Sequence, residues 1–259
     1  MTKLDEIVAY KKIELAESKK KKPLSEIEKG LKSRPAPRDF RRAITRDGAI
    51  SLIAEVKRAS PSAGPIRSGA DAVSVAAAYA QAGAQAISVL TDATFFSGSL
   101  NDLIAVRRAV SVPVLRKDFI LDEYQVVEAA SAGADAVLLI AAILENPVLK
   151  RLIGLARDLS LTALVEVHTD KELEEAVEAG ASVIGINNRD LNTFRVDLAT
   201  TERLIRRIPP ERTAVSESGI HARADVERVE RLGAKAVLIG EELMRSPDIA
   251  AKIKELMGW

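Results

Sequence analysis

Glu55 and Lys57 stand two residues apart just past the apolar run Ile50-Ser-Leu-Ile-Ala, while Lys117 follows Val112-Pro-Val-Leu-Arg and Glu166 follows Thr162-Ala-Leu-Val. A lysine titrating near ~10.4 is a ready proton donor at neutral pH, and a glutamate held near cations stays ionised and accepts. Two such pairs in one chain have the makings of an acid–base site. Apolar atoms gain from burial in a strand, whereas each unpaired charge is penalised there. These groups therefore belong on a rim rather than in a core. Asn187 closes Val183-Ile-Gly-Ile and Glu217 closes Thr213-Ala-Val-Ser in the same manner. Residues two apart on a strand face one side, so Glu55 and Lys57 enter the same pocket. The alternative is that Glu55, Lys57, Lys117 and Glu166 are ion pairs that merely close one end of the fold. It is the weaker reading, because buried pairs are often no better for stability than apolar packing.

The elements that must position these groups repeat. Gln81-Ala-Gly-Ala-Gln-Ala-Ile-Ser-Val-Leu, Ser131-Ala-Gly-Ala-Asp-Ala-Val-Leu-Leu-Ile, Glu178-Ala-Gly-Ala-Ser-Val-Ile-Gly-Ile-Asn and Arg231-Leu-Gly-Ala-Lys-Ala-Val-Leu-Ile-Gly share one pattern. Each reads as a helix end, a glycine suited to the left-handed C-terminal turn, and a buried strand. The glycines (Gly83, Gly133, Gly180 and Gly233) lie about 50 residues apart, room for two strand–helix units per repeat. Further apolar runs fall between them. The spacing predicts eight strands, starting near 50, 86, 112, 136, 161, 183, 213 and 236. Amphipathic helices are predicted over 72–82, 100–110, 123–132, 147–159, 170–179, 198–208, 222–232 and 246–257. Thr169-Asp170 opens the fifth of these, and Ser246-Pro247 puts proline in the first turn of the eighth. Eight near-equal units and a fourfold-like repeat favour a closed (β/α)8 TIM barrel over an open doubly wound sheet. The expected organisation is one barrel domain over 1–259, with residues 1–45 as a helical extension packed across a barrel end and 33–42 as a Pro- and Arg-rich linker.

In such a barrel the site lies at the carboxyl ends of the strands, and the loops after the last two commonly bind phosphate. Ser218-Gly219 and Gly240 occupy those loops, where glycine lets backbone N–H groups approach an anion. The rare aromatics Phe95, Phe96 and Phe119 follow strands two and three, as packing or as the wall of an aromatic-binding pocket. His168 and His221 have no second ligand at metal spacing and read as loop residues or as residues that support the site from behind its contacting groups, so no metal is expected. No phosphate-binding Gly-x-x-x-x-Gly-Lys loop and no Gly-x-Gly-x-x-Gly is present, which leaves nucleotide and NAD use unsupported.

With 38 basic and 37 acidic residues the net charge is +1, giving no electrostatic case for nucleic acid or an acidic membrane. Aromatics at 3% argue against base stacking. The absence of cysteine removes disulfides and thiolate chemistry and fits a reducing cytoplasm. Residues 1–30 are charged and helical in pattern, unlike a secretory signal, and no apolar run reaches the ~20 residues of a membrane span. Lys19 to Lys22 reads as a solvated helix end. The abundance of Arg, Lys and Glu hints at heat resistance.

Taken in order, the stretches Ala54-Glu-Val-Lys-Arg-Ala-Ser-Pro-Ser62 (which contains Ser60), Ser88-Val-Leu-Thr-Asp, Phe96-Ser-Gly-Ser99 and Pro113-Val-Leu-Arg-Lys-Asp-Phe-Ile120 are highly specific. So are Leu164-Val-Glu-Val-His168, Ile184-Gly-Ile-Asn-Asn-Arg-Asp-Leu191, Ser216-Glu-Ser-Gly-Ile220 and Leu238-Ile-Gly with Leu243-Met-Arg. Over nearly its whole length the chain resembles the indole-3-glycerol-phosphate synthases of tryptophan biosynthesis. The resemblance implies a carbon–carbon lyase, without cofactor, that converts 1-(2-carboxyphenylamino)-1-deoxyribulose 5-phosphate to indole-3-glycerol phosphate, carbon dioxide and water. It implies Lys117 as the general acid on the substrate carbonyl, Lys57 as a cation holding the substrate's anionic groups, and Glu166 as the acid–base residue of dehydration. Glu55 and Asn187 would orient these groups, with Arg189 and Glu217 in support and Ser60 in the substrate site. Ser218, Gly219 and Gly240 match the phosphate site, and Phe96 and Phe119 the apolar pocket around the anthranilate ring. The chain departs at Glu241-Glu242, where many relatives have a small hydroxyl residue, and the loop 63–71 looks short. A cytoplasmic monomer is expected, with a phosphorylated small molecule as its partner. The competing functions are a Schiff-base aldolase using Lys57 or Lys117, and a phosphate-ligand-binding or engineered barrel without catalysis.

Overall fold

The apolar runs become eight parallel strands: β1 (Ser51–Val56), β2 (Ala86–Leu90), β3 (Val114–Lys117), β4 (Ala136–Ile140), β5 (Thr162–Val167), β6 (Val183–Asn187), β7 (Thr213–Glu217) and β8 (Ala236–Ile239). β1 pairs with β2 on one side and β8 on the other, with Ile53 opposite both Ala86 and Leu238, so the sheet closes into a barrel. The computed structural model describes residues 2–190 and 193–259. Leu191, the last residue of the stretch 184–191, lies outside the described residues, as do Met1 and Asn192.

Three helices precede the barrel: α1 (Lys3–Lys21), α2 (Leu24–Leu31) and α3 (Phe40–Ile44). Then α4 (Ala72–Gln81), α5 (Leu100–Ala109), α6 (Glu123–Ser131), α7 (Asn146–Asp158), α8 (Asp170–Glu178), α9 (Ala199–Ile205), α10 (Arg223–Arg231) and α11 (Ile249–Met257) each follow one strand. The (β/α)8 barrel expected from the sequence is the architecture observed. The four repeat glycines all take the left-handed turn before a strand, with φ from 88° to 105° at Gly133, Gly180, Gly83 and Gly233.

The last helix begins later than expected. Glu241–Arg245 forms a separate short helix, and α11 starts at Ile249, capped by Asp248 through its carboxylate and the Ala251 amide at 2.9 Å. Ser246 precedes a proline and is extended (φ −69°, ψ 132°), which breaks the helix instead of opening it. The linker is also more than a linker. Asp39 caps α3, whose Phe40 and Ile44 are fully buried among the inward residues Ile53, Leu115, Leu164 and Val215. Arg38 donates its amide to Asp135 at 2.7 Å, and Arg41 reaches Thr213 at 3.3 Å, which fixes α3 beneath the amino ends of the strands. The extension therefore covers both ends of the barrel rather than one. Its α1 lies at the opposite rim, where Lys11 pairs with Asp92 at 2.8 Å and Asp118 at 3.0 Å, just beyond β2 and β3.

Side chains inside such a barrel stack in layers of four from alternate strands. Ile53, Leu115, Leu164 and Val215 come from β1, β3, β5 and β7 and belong to the apolar interior. Two residues further along those same strands stand Glu55, Lys117, Glu166 and Glu217. Pleating keeps each on the inner face, so the next layer up is three glutamates around one lysine.

Candidate active site

The charged layer is the floor of a cavity at the carboxyl ends of the strands. Lys117 Nζ lies 3.4 Å from Glu166 Oε2 and 3.6 Å from Glu217 Oε2. Lys57, one residue past β1, turns back to Glu55 at 3.2 Å, and Ser88 donates to the other oxygen of Glu55 at 3.2 Å. The two acid–base pairs read from the sequence are thus both formed and open into one cavity.

Burial alone would drive the Lys117 ammonium down, but Glu166, Glu217 and Glu55 outweigh it and hold the lysine charged well above its ordinary range. Burial pushes Glu166 up, yet Lys117, His168 and a hydrogen bond from Asn187 outweigh it and leave this carboxyl below its ordinary value. Glu217 goes the other way. Burial, reinforced by Glu166 and Glu55 against the opposing pull of Lys117, pushes it up to about 8. The lysine therefore sits between one carboxyl held toward its ionised form and one pushed toward its protonated form. Two titratable neighbours with pKa values pushed apart are the electrostatic signature of an assigned donor and acceptor.

Glycines make room for these carboxylates. A Cβ on Gly240 would meet Glu55 Oε1 at 2.7 Å, and one on Gly185 would overlap Glu217 Oε1. Gly240 is thus needed for the seat of Glu55, a reason independent of the phosphate reading that the sequence suggested. On the rim above β7, Ser218 (φ 65°) and Gly219 (φ 78°) are successive left-handed residues. The Asn188 amide group holds that turn, donating to the carbonyls of Glu217 at 3.0 Å and Ser218 at 3.1 Å. A non-glycine residue in this region is strained and persists where its surroundings fix it. Asn187 Oδ1 accepts the Arg189 amide at 3.0 Å, which places both side chains at the cavity wall.

The acidic pair after Gly240 lines the cavity, and each member has a partner. Glu241 is paired with Arg245 at 2.9 Å and Glu242 with His221 at 2.7 Å. Phe96 and Phe119 form an apolar wall, their centroids 6.0 Å apart, whereas Phe95 packs edge-on to Tyr10 of α1 at 5.7 Å. The aromatics therefore divide between lining and packing. Ser60 belongs to the wall, in a short hairpin that pairs Ala59–Ser60 with Gly64–Pro65. Arg58 secures this short loop by a bidentate pair with Asp102 at 2.7 and 3.0 Å.

The sequence reading missed one group and left the place of a second open. Leu4 and Ile7 of α1 roof the cavity, and buried Lys11 anchors that helix. His168, read as a loop residue or one supporting the site, takes the second role, with Nε2 3.5 Å from Glu166 Oε1 and Nδ1 3.1 Å from Glu172 Oε2. Burial opposes its charging, but Glu172 and Glu166 outweigh that and raise its pKa above the ordinary histidine value. The signal for it was available: His168 stands two beyond Glu166, as Lys57 stands two beyond Glu55.

Solved structures of low identity match the fold. A 3-hexulose-6-phosphate synthase from Salmonella typhimurium superposes with a TM-score of 0.66 at 15% identity, over 81% of this chain and 97% of that one. The N-acetylmannosamine-6-phosphate 2-epimerase of Clostridium perfringens gives 0.59 at 17% identity, over 75% and 88%. At that distance the likeness concerns the barrel alone. Sequence relatives are much closer. The indole-3-glycerol phosphate synthase of Acetivibrio thermocellus is 48% identical over 255 residues, 97% of this chain and 98% of its own length. That of Dehalococcoides mccartyi strain CBDB1 is 49% identical over 257 residues, 98% and 99% of the two chains. The model of the family described as indole-3-glycerol phosphate synthase matches residues 4–256. With a family match from end to end and near-half identity to full-length members, the chain belongs to the indole-3-glycerol phosphate synthase family.

Proposed function

We propose that Lys117 is the general acid of the ring closure by which this carbon–carbon lyase makes indole-3-glycerol phosphate from 1-(2-carboxyphenylamino)-1-deoxyribulose 5-phosphate. The observation that carries this assignment is the position of Lys117 between the carboxyls of Glu166 and Glu217, at 3.4 and 3.6 Å, beneath an apolar wall. The aromatic carbon bearing the carboxylate attacks the ketone, and Lys117 delivers a proton to the ketone oxygen. The bond to the carboxylate then breaks, carbon dioxide leaves, and its electron pair restores the aromatic ring. Finally Glu166 takes up the proton released in forming the double bond and returns it to the departing hydroxyl, which leaves as water. The charge kept on Lys117 by three glutamates makes it a donor at any physiological pH.

In this reading Lys57, paired to Glu55, faces the substrate carboxylate, and Phe96 and Phe119 hold the aromatic ring. Desolvating a carboxylate there favours its loss as carbon dioxide. The strained Ser218-Gly219 turn and the Gly240 backbone take the phosphate, with Glu241 paired to Arg245 and Glu242 held by His221 Nδ1. Arg189, Asn187 and Ser60 complete the substrate wall. Holding a flexible phosphorylated chain over the ring supplies several kcal/mol of the barrier reduction through orientation. The enzyme works as a monomer in this reading, and sedimentation at one chain mass is the expected result.

The test is indole fluorescence on adding the carboxyphenylamino-deoxyribulose phosphate. The intact chain generates signal, and Lys117→Ala loses about 10²–10⁴ of the rate while still binding substrate. A Lys117→Ala variant of near-normal rate overturns the assignment. A borohydride-stable lysine adduct with the substrate would favour the aldolase reading instead.

A further inference from the structure

The Glu166 and Glu217 carboxyls both stand within 4 Å of the same ammonium, yet the mechanism needs one as base and not the other. Something outside that trio must break the symmetry. We infer that His168 is a positioning residue of this site, a clamped imidazolium that selects Glu166 rather than Glu217 as the ionised carboxylate beside Lys117. The inference rests on the proposed role of Glu166 as the proton acceptor.

The geometry around the ring is specific. Nδ1 is 3.1 Å from Glu172 Oε2, and Nε2 is 3.5 Å from Glu166 Oε1. A neutral imidazole has one donor and one lone pair, so one of its nitrogens would face a carboxylate with its lone pair. Only the doubly protonated ring suits both neighbours. Glu172 is itself fixed. Its Oε2 accepts the His168 amide at 2.8 Å, and its Oε1 accepts the Thr169 hydroxyl at 2.9 Å, in the capped first turn of α8. The anchor therefore cannot follow the ring, and Nε2 stays buried, without a hydrogen-bond partner of its own, 3.5 Å from Glu166 Oε1.

Groups on every neighbouring element bear on the ring. Glu166 faces it from β5 and Glu172 from α8, while Glu217 of β7 adds a weaker attraction. Arg203 of α9 donates to the His168 carbonyl at 3.2 Å, and its guanidinium is also paired with Asp170. Lys117 lies on the far side of Glu166. The carboxylates outweigh the cations at the ring, and the ring in turn adds a second cation to Glu166. Glu217 has Lys117 and only the remoter influence of His168, with two glutamates against it.

Two kinds of measurement test this. The chain has two histidines, so a His221→Gln spectrum assigns the imidazole signals by subtraction. The His168 ring should titrate above the free-histidine value of ~6.5, and lower in Glu166→Gln and in Glu172→Gln. A ring that is neutral at pH 7, or one indifferent to Glu166→Gln, overturns the inference whether or not the chain turns substrate over. In kinetics, His168→Gln should move the acid limb of kcat/KM up by about one pH unit, and Glu172→Gln should move it in the same direction by less. A uniform loss of kcat with the acid limb unmoved marks a merely structural role and also overturns it. If His168→Gln fails to fold, Glu172→Gln and the wild-type titration decide. Failure of Lys117→Ala to lose activity would remove the proposed mechanism while leaving the titration result standing, so the two failures are separable.

Discussion

Replacing Glu217 by glutamine should stabilise the protein, and increasingly so as the pH rises. Glu217 is 1% exposed, and its Oε1 has no hydrogen-bond partner. Burial and the neighbouring glutamates move its carboxyl from 4.5 to about 8. The folded chain thus keeps a proton that the unfolded chain releases above pH ~4.5. Because the folded value is the higher one, this group's contribution to stability is fully present below pH ~4.5 and is lost as the pH rises toward 8. Each pH unit inside that window costs ~1.4 kcal/mol, so going from pH 5 to pH 7.5 removes ~3 kcal/mol. Glutamine keeps the shape of the neutral carboxyl and has no proton to hold. Urea unfolding of Glu217→Gln and the wild type at both pH values isolates the effect, since titrations common to the two proteins cancel in the difference. The variant should gain ~3 kcal/mol on the wild type between pH 5 and 7.5. Parallel stability curves would refute the raised pKa and, with it, the split between Glu166 and Glu217.

The same split predicts that wild-type kcat/KM falls above pH ~8 and that this fall is absent in whatever activity Glu217→Gln retains, because Lys117 keeps its charge far beyond that point. Lys11→Met should leave Asp92 and Asp118 as buried, under-paired charges and cost about 3–5 kcal/mol in denaturant unfolding; a change within ~0.5 kcal/mol, ordinary for a surface lysine, would show that the clasp on α1 is idle. Gly185→Ala should displace Glu217 from its seat and lower kcat by ~10²-fold with the barrel intact by circular dichroism, and an unchanged kcat would show that Glu217 need not stay where it is.

How much of this was legible in the sequence depended on periodicity. Strand starts and the first seven barrel helices lie within three residues of expectation because buried parallel strands and amphipathic helices both write themselves as regular apolar patterns. Phe40 and Ile44 of α3 carry no such pattern, since a five-residue helix is too short to repeat. Their burial depends on the open amino end of the barrel, which exists only once the strands have closed. Lys11 escaped for a related reason. A lysine within a charged helix looks solvated, and only the arrival of Asp92 and Asp118 from two different strand ends turns it inward. The break before α11 could have been read, because Ser246 precedes a proline and Asp248 is a good cap.

The site itself divides along the same line. Alternation along a strand identified Glu55 and Lys57 as co-facing, and the same rule applied to β5 places His168 with Glu166. What no single strand states is the layer. Glu55, Lys117, Glu166 and Glu217 are one ring of side chains from four strands, stacked upon an apolar ring two residues earlier in each. A barrel interior is packed, so replacing one apolar layer by three carboxyls and an ammonium leaves unequal neighbours to decide who keeps the protons. The net charge of that ring with all four ionised is two negative, and burial makes such a state costly. Retaining one proton on Glu217 relieves it, and the imidazole beside Glu166, together with the Asn187 hydrogen bond, favours Glu217 over Glu166 as the carboxyl that keeps it. The sequence contains every member of this arrangement, but the order of their pKa values arises from distances across the barrel, which is why the roles of Glu166 and Glu217 became separable only in three dimensions.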